Sequence, residues 1–225
     1  MRFKARGVFL ALVAVFAMSA VAASAASAAE PEFKPGTKQA FTGAGGALKL
    51  EHTLSEEKVT CSKTASTGEI TGASTVALKM TFTGCKGEAG SKTCTVHSKG
   101  AKEGEIVTEA LKGELGEVAT KEATSGVGLF ISSEAEKETF WKWEGTCFAT
   151  GNVAKGNIAA EVTPVETSTK TIKLVFAGSK GKQPIEKIIV KGRERKPEFT
   201  MLELVSASWH MTEELTFASL VEVTV

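Results

Sequence analysis

The sequence predicts an all-β protein that folds as a single antiparallel β-sandwich or barrel-like domain. Apolar and polar residues alternate with a period of two along Val76–Phe82, Ile172–Phe176 and Leu215–Val225. This period puts one face of a strand into a core, whereas a helix would mix the two faces. Short runs rich in Thr and Val follow one another between glycines, which is typical of antiparallel sheets.

Glycines mark the predicted breaks between strands, at Gly68, Gly104, Gly116, Gly126, Gly151, Gly178 and Gly192. Helical propensity is concentrated in two windows, Glu109–Glu122 and Ser132–Glu138. Gly113 and Gly116 oppose a long helix in the first window, because glycine is a poor helix former. We therefore expect strands almost throughout.

Residues 1–29 have the three parts of a secretory signal peptide. Basic residues at Arg2, Lys4 and Arg6 precede an apolar stretch from Val8 to Val21, and small residues follow up to Ala29. The apolar stretch is shorter than the roughly 20 residues of a membrane span. We expect cleavage after Ala28 or Ala29, secretion to the extracellular space, and no membrane attachment afterwards. Residues 30–225 are then the mature all-β domain.

The mature chain is nearly neutral, with 24 basic and 26 acidic residues once the predicted leader is removed. A balanced charge gives no whole-molecule field that would attract nucleic acid, so we expect no nucleic-acid partner. The length of about 196 residues suits one β domain with a substantial core.

Four cysteines, Cys61, Cys85, Cys94 and Cys147, indicate two disulfides in an exported chain. Zinc is the competing interpretation, but no C-x-x-C pair is present to start a tetrahedral site. Of the three connectivities we favour Cys85–Cys94 with Cys61–Cys147, because residues 86–92 resemble a hairpin loop whose ends a local bridge would join.

No catalytic motif, metal site or cofactor motif can be recognised. His52, His97 and His210 lack metal-ligand spacing, and the chain has no Asp, no nucleophile elbow and no phosphate-binding or dinucleotide loop. We predict no metal and no cofactor. A glycosidase needs two carboxylates about 5–10 Å apart, and the sequence cannot say which of its 26 glutamates would form such a pair.

The aromatic run Phe140-Trp141-Lys142-Trp143 is the candidate ligand surface. On a strand Trp141 and Trp143 point to the same side, where they would form a platform for stacking on sugar rings. The alternative is that they pack in the core beside the Cys147 disulfide, as aromatic residues in β-sandwiches do. We favour the core, because large apolar groups are inside by default.

A pattern of cysteines and glycines runs through the chain at Cys61, Gly68-Glu-Ile-Thr-Gly72, Phe82-Thr-Gly-Cys85, Cys94, Gly104-Glu-Ile-Val-Thr108, Leu111-Lys-Gly-Glu-Leu-Gly116 and Cys147. This pattern resembles that of a family of exported actinobacterial proteins of unknown function. The resemblance implies secretion and an all-β fold, and it transfers no site residue.

These observations favour an extracellular β domain that binds a glycan, a wall component or a protein. The alternative is an extracellular hydrolase whose glutamates meet only in the fold. A deep cleft lined by paired glutamates with raised pKa would favour the hydrolase, and a flat face bearing tryptophans would favour binding.

Overall fold

The computed structural model describes residues 30–53, 57–119, 124–135, 138–145, 153–201 and 205–225. These residues form nineteen β-strands, numbered β1 to β19 in chain order, and none of them lies in an α-helix. The all-β prediction is confirmed, and the architecture is barrel-like. The predicted leader at 1–29 and Cys147 lie outside the described residues.

Eight strands close into an antiparallel barrel. In their order around the barrel, with the last pairing with the first, they are β2 (Gln39–Gly45), β5 (Lys63–Gly72), β6 (Thr75–Thr83), β11 (Leu111–Ala119), β12 (Thr124–Ser133), β14 (Val153–Thr163), β15 (Thr169–Ala177) and β19 (Val205–Thr224). A barrel of eight strands has an interior that side chains can fill.

Eleven shorter strands extend or cover this barrel. They are β1 (Glu32–Lys34), β3 (Leu48–His52), β4 (Lys58–Cys61), β7 (Lys86–Ala89), β8 (Lys92–Thr95), β9 (His97–Ser98), β10 (Glu105–Val107), β13 (Thr139–Glu144), β16 (Lys187–Val190), β17 (Arg193–Arg195) and β18 (Phe199–Met201). The first half of β19 pairs with β3 and β18, and the first part of β14 pairs with β13 and β18. The two strands β14 and β19 thus belong both to the barrel and to the strands beyond it.

The predicted alternation accounts for the barrel core. The alternating apolar residues of the runs Val76–Phe82 and Ile172–Phe176 are at most 4% exposed and point inward from β6 and β15; they are Val76, Leu78, Met80, Phe82, Ile172, Leu174 and Phe176. Leu215, Phe217, Val221 and Val223 of β19 are also buried. The last residue of that run, Val225, is 54% exposed and follows the end of the strand.

Three of the predicted strand breaks are wrong, because Gly68, Gly116 and Gly126 lie inside strands β5, β11 and β12. Packing explains the first two glycines. A Cβ atom on Gly68 would overlap the ring of Phe41, its partner across the β2–β5 ladder. A Cβ atom on Gly116 would overlap the backbone of β16, which pairs with the far end of β11.

An aromatic cluster fills the region where β13, β18 and the first half of β19 meet the barrel. Trp209 stands at its centre, with ring centroids 5.3–6.1 Å from those of five neighbours. The members of the cluster are Phe82, Phe140, Trp141, Trp143, Phe176, Phe199 and Trp209. All are at most 2% exposed, so this cluster is a core and not a surface.

The predicted disulfide pairing is wrong, because Cys61 is bonded to Cys85. A hairpin of β7 with β8 is present, but its turn is Gly90–Ser91 and not the whole predicted loop 86–92, and its register places Cys94 opposite Gly87. Continued by one step, this register puts Val96 opposite Cys85, and the Val96 N–H donates to the Cys85 carbonyl at 3.4 Å, so Cys94 is not the residue that faces Cys85. The β4–β7 register pairs Thr60 with Lys86, which brings Cys61 directly opposite Cys85.

Candidate functional site

A groove of about 540 Å³ opens on the outside of the barrel beside β6. Its walls come from β6, β10, β13 and the turn after β9. The lining residues are Lys79, Ser98, Lys99, Gly100, Ala101, Glu105, Val107, Thr108, Glu109 and Lys142. We call it the lysine groove.

A β-bulge creates the groove. Strand β10 pairs with β6 through Val107 and Thr81, whereas β11 pairs with β6 through Leu111 and Leu78. Between these two pairs the chain advances four residues, from Val107 to Leu111, while β6 advances only three, from Leu78 to Thr81. One extra residue is therefore inserted opposite Lys79. A bulge of this kind bends the strand and redirects its side chains, and bulges are common beside active sites.

Hydrogen bonds hold the groove wall in place. Thr108 Oγ1 accepts from the Met80 N–H at 3.0 Å, and the Thr108 N–H donates to the Met80 carbonyl at 3.0 Å. Ser98 Oγ accepts from the Val107 N–H at 2.9 Å. The Glu109 N–H donates to the carbonyl of Phe140 at 2.6 Å, which ties the bulge to β13. These hydroxyls are occupied by the backbone and fix the frame that carries the charged side chains.

Three lysines make the groove cationic. Lys79, Lys99 and Lys142 are exposed, and they come from three different elements, β6, the turn after β9, and β13. None of them belongs to an ion pair within the part of the chain that the structure describes. With Glu105 and Glu109, the groove carries a formal charge of +1. Its chemistry suits an anion that several ammonium groups can approach.

A second hollow, of about 290 Å³, adjoins the lysine groove. Lys79 lines both, and the chain passes from Glu109 in the groove to Ala110 and Leu111 in the hollow. Its lining residues are Thr67, Gly68, Glu69, Ala77, Leu78, Lys79, Ala110, Leu111 and Glu134. We call it the carboxylate hollow, after Glu69 and Glu134.

Among the residues that the structure describes, the barrel interior contains one acid, Glu213, which is completely buried. Burial raises its pKa to about 7, because a low-dielectric interior disfavours the charged carboxylate. The nearby Ser66 hydroxyl offsets part of this rise in the pKa. The Ser66 hydroxyl and the Glu213 carboxyl oxygens do not, however, meet the geometry of a regular hydrogen bond. Glu213 lines neither the lysine groove nor the carboxylate hollow. It belongs to the barrel core.

The tryptophans predicted as a candidate ligand surface are in the core. Trp141 and Trp143 are 1% and 2% exposed, so the platform alternative is wrong and the favoured core position is confirmed. Phe140 is buried as well, because a bulge between Thr139 and Trp141 breaks the alternation of β13. Only Lys142 of the aromatic run reaches the groove.

Of the predicted disulfide residues, Cys61 and Cys85 are both buried and bonded to each other. Cys94 is also disulfide-bonded, and no described cysteine is free. Cys147 lies outside the described residues. Gly145, two residues before Cys147, lies close to Cys94, since a Cβ atom there would be 3.7 Å from Cys94 Sγ.

The histidines are dispersed. His52 is buried 3.8 Å from a Glu57 carboxylate oxygen, and burial lowers its pKa. His97 Nε2 lies 3.4 Å from Glu144 Oε2, and His210 is exposed on β19. The described residues contain no group of three His, Cys, Asp or Glu side chains arranged to hold a metal.

The fold and the groove define a class: an all-β protein with a closed eight-strand barrel, disulfide cross-links and a cationic surface groove. Comparisons with protein-family profiles, curated proteins and solved structures find no match to the chain. Within the described residues, no helix has the length and apolar character needed to cross a membrane.

Sequence reasoning missed the lysine groove. Lys79, Lys99 and Lys142 are far apart in the chain and share no sequence context, because Lys79 and Lys142 each lie between two apolar residues whereas Lys99 lies between Ser98 and Gly100. The bulge that gathers them is a register difference between two ladders, which no local pattern predicts. The one available signal was the exposed position of Lys79, between inward-facing Leu78 and Met80 on a well-patterned strand.

Proposed function

We propose that this protein is an exported binding domain that holds an anionic group of an extracellular molecule in its lysine groove. One observation carries the proposal: Lys79, Lys99 and Lys142 converge on one groove at a β-bulge, and none is paired with an acidic side chain of the described residues. Lysine is a common ligand for phosphate, sulfate and carboxylate groups.

Predicted export favours an extracellular ligand. The predicted leader at 1–29 and the resemblance to exported actinobacterial proteins remain predictions. The Cys61–Cys85 bond favours an oxidising compartment, because disulfides persist mainly outside the cytosol. Sequencing the amino terminus of protein recovered from culture medium should find Ala29 or Glu30. Recovery of Met1 would contradict export by cleavage.

The hydrolase alternative has no specific support. The carboxyl group whose pKa is raised to about 7, Glu213, is buried in the barrel core and does not line the groove. A general acid must reach its substrate. We therefore carry binding forward as the proposal and include substrate cleavage as a readout in the experiment below.

The test compares dextran sulfate with neutral dextran of the same length, using titration calorimetry. We expect binding of the sulfated polymer only, weakening as salt rises. The triple variant Lys79→Gln, Lys99→Gln, Lys142→Gln should bind about tenfold more weakly, since three exposed charge contacts of a few tenths of a kcal/mol each add up to roughly this factor.

The matched control replaces Lys34, Lys38 and Lys173 by Gln. These lysines are exposed and lie outside the groove, on or beside β1 and on β15. The control removes the same net charge but leaves the three groove lysines in place, so it should keep most of the affinity. Equal losses of affinity in both triple variants would show that binding depends only on net charge, and would contradict the lysine groove as the binding site. Shortening of the polymer during incubation would favour the hydrolase.

A further inference from the structure

The lysine groove and the carboxylate hollow adjoin each other at Lys79. Lys79 belongs to both linings. The segment 109–111 connects them, because Glu109 lines the groove and the next two residues, Ala110 and Leu111, line the hollow. A ligand longer than one anionic group therefore has a path from the groove across Lys79 into the hollow.

The charge along this path changes from positive in the lysine groove to negative in the carboxylate hollow. Across the β5–β6 ladder, Glu69 is opposite Ala77 and Thr67 is opposite Lys79. Glu69 and Lys79 are consequently diagonal neighbours on the outer face, about 7–8 Å apart by ladder geometry. Glu134, on the far wall, adds a second carboxylate.

These charges select a type of polymer. If every unit carried an anion, the unit next to the one held by the lysines would meet Glu69 and Glu134, and like charges repel. A neutral unit with hydroxyl groups would instead donate hydrogen bonds to these carboxylates. Resting on the proposed function, we infer that the ligand is an acidic glycan in which a charged sugar alternates with a neutral one.

A peptide added as an extra strand is disfavoured by the backbone. The N–H and the carbonyl of Met80 are bonded to Thr108, and Leu78 is paired with Leu111 in the β6–β11 ladder. Strand β6 thus offers no unpaired edge along the path, and an added strand needs such an edge. A ligand on this path must therefore be recognised by side chains, as a glycan would be.

The experiment compares two acidic tetrasaccharides by calorimetry at one salt concentration. The hyaluronan tetrasaccharide alternates uronate with a neutral amino sugar, and tetragalacturonate is charged on every unit. We expect wild-type protein to bind the hyaluronan fragment about tenfold more tightly, although it carries fewer charges. The double variant Glu69→Gln, Glu134→Gln should bring the two affinities within about twofold.

The control double variant is Glu161→Gln, Glu214→Gln, two exposed acids on β14 and β19 that line neither feature, and it should keep the wild-type preference. Melting temperatures verify that each variant is folded. Equal or tighter binding of tetragalacturonate by wild type, or preferential binding of an alternating Glu-Ser peptide, would overturn the inference.

The two proposals fail differently. If dextran sulfate binds through the three groove lysines but neither tetrasaccharide binds, or both bind equally, the alternating-glycan inference is wrong and the anion groove stands. If dextran sulfate binding is unaffected by the groove lysines, both proposals are wrong.

Discussion

The carboxyl group of Glu213 lies over the bare Cα of Gly43 inside the barrel, where a Cβ atom on Gly43 would be 2.5 Å from Glu213 Oε1. Strand β19 pairs with β2 at this point, and the neighbouring β5 contributes Ser66. The absence of a side chain at Gly43 makes room for a buried acid. The barrel core is therefore packed around the titratable group of Glu213.

Stability should depend on pH through Glu213. Its pKa is about 7 in the folded protein and near 4.5 in the unfolded chain, so folding binds a proton between these pH values. The contribution is complete below pH 4.5 and is lost as pH rises through 7, which should lower the unfolding free energy by about 3 kcal/mol. Urea unfolding at pH 4.5, 6 and 8 measures this slope.

The variant Glu213→Gln should remove this loss of stability between pH 4.5 and 8, because the amide does not titrate. Glu214→Gln is the control, since Glu214 is the exposed neighbour on the same strand. It should retain the wild-type slope. An unchanged slope in Glu213→Gln would show that another group causes the pH dependence.

Gly68→Ala should destabilise the protein by about 1–3 kcal/mol, because the added methyl group overlaps the Phe41 ring and the Ala77 carbonyl. Gly46→Ala is the matched control. Nothing lies within 4 Å of a Cβ atom there, so its melting temperature should stay the same or rise slightly. Equal melting temperatures for both variants would contradict the packing of Phe41 against Gly68.

Trp141→Ala should cost about 3–5 kcal/mol, because it opens a cavity among Trp143, Phe199 and Trp209. Leu220→Ala, at a side chain that is 54% exposed, should cost under about 0.5 kcal/mol. Denaturant titration measures both. A Trp141→Ala protein as stable as Leu220→Ala would contradict the aromatic cluster as a core.

Peptide mapping without reduction should find Cys61 joined to Cys85. Because Cys94 is also bonded, we expect its partner to be Cys147, the remaining cysteine of the sequence. The double variant Cys61→Ala, Cys85→Ala should lose about 3.5 kcal/mol by loop-entropy arithmetic for the 24-residue separation. A Cys85–Cys94 peptide would refute the β4–β7 register.

Much of the fold could be predicted because strand periodicity is a local property. The alternation at Val76–Phe82 identified which side chains of β6 face the core, and a hairpin was predicted near residues 86–92, although most of that predicted loop is strand. The role of the glycines was harder to predict. Gly68 and Gly116 resemble strand breaks in sequence, but they serve as spaces for Phe41 and for β16, which arrive from elsewhere in the chain.

The sequence by itself determined the all-β class, the inward face of each well-patterned strand and the expectation of disulfides, because these depend on residues close together in the chain. Only the tertiary structure decided the Cys61–Cys85 pairing, the burial of Trp141 and Glu213, and the convergence of Lys79, Lys99 and Lys142. Each of these depends on the register between strands that are distant in sequence. A shift of one residue in such a ladder turns a side chain to the other face of the sheet, and local patterns leave that register open.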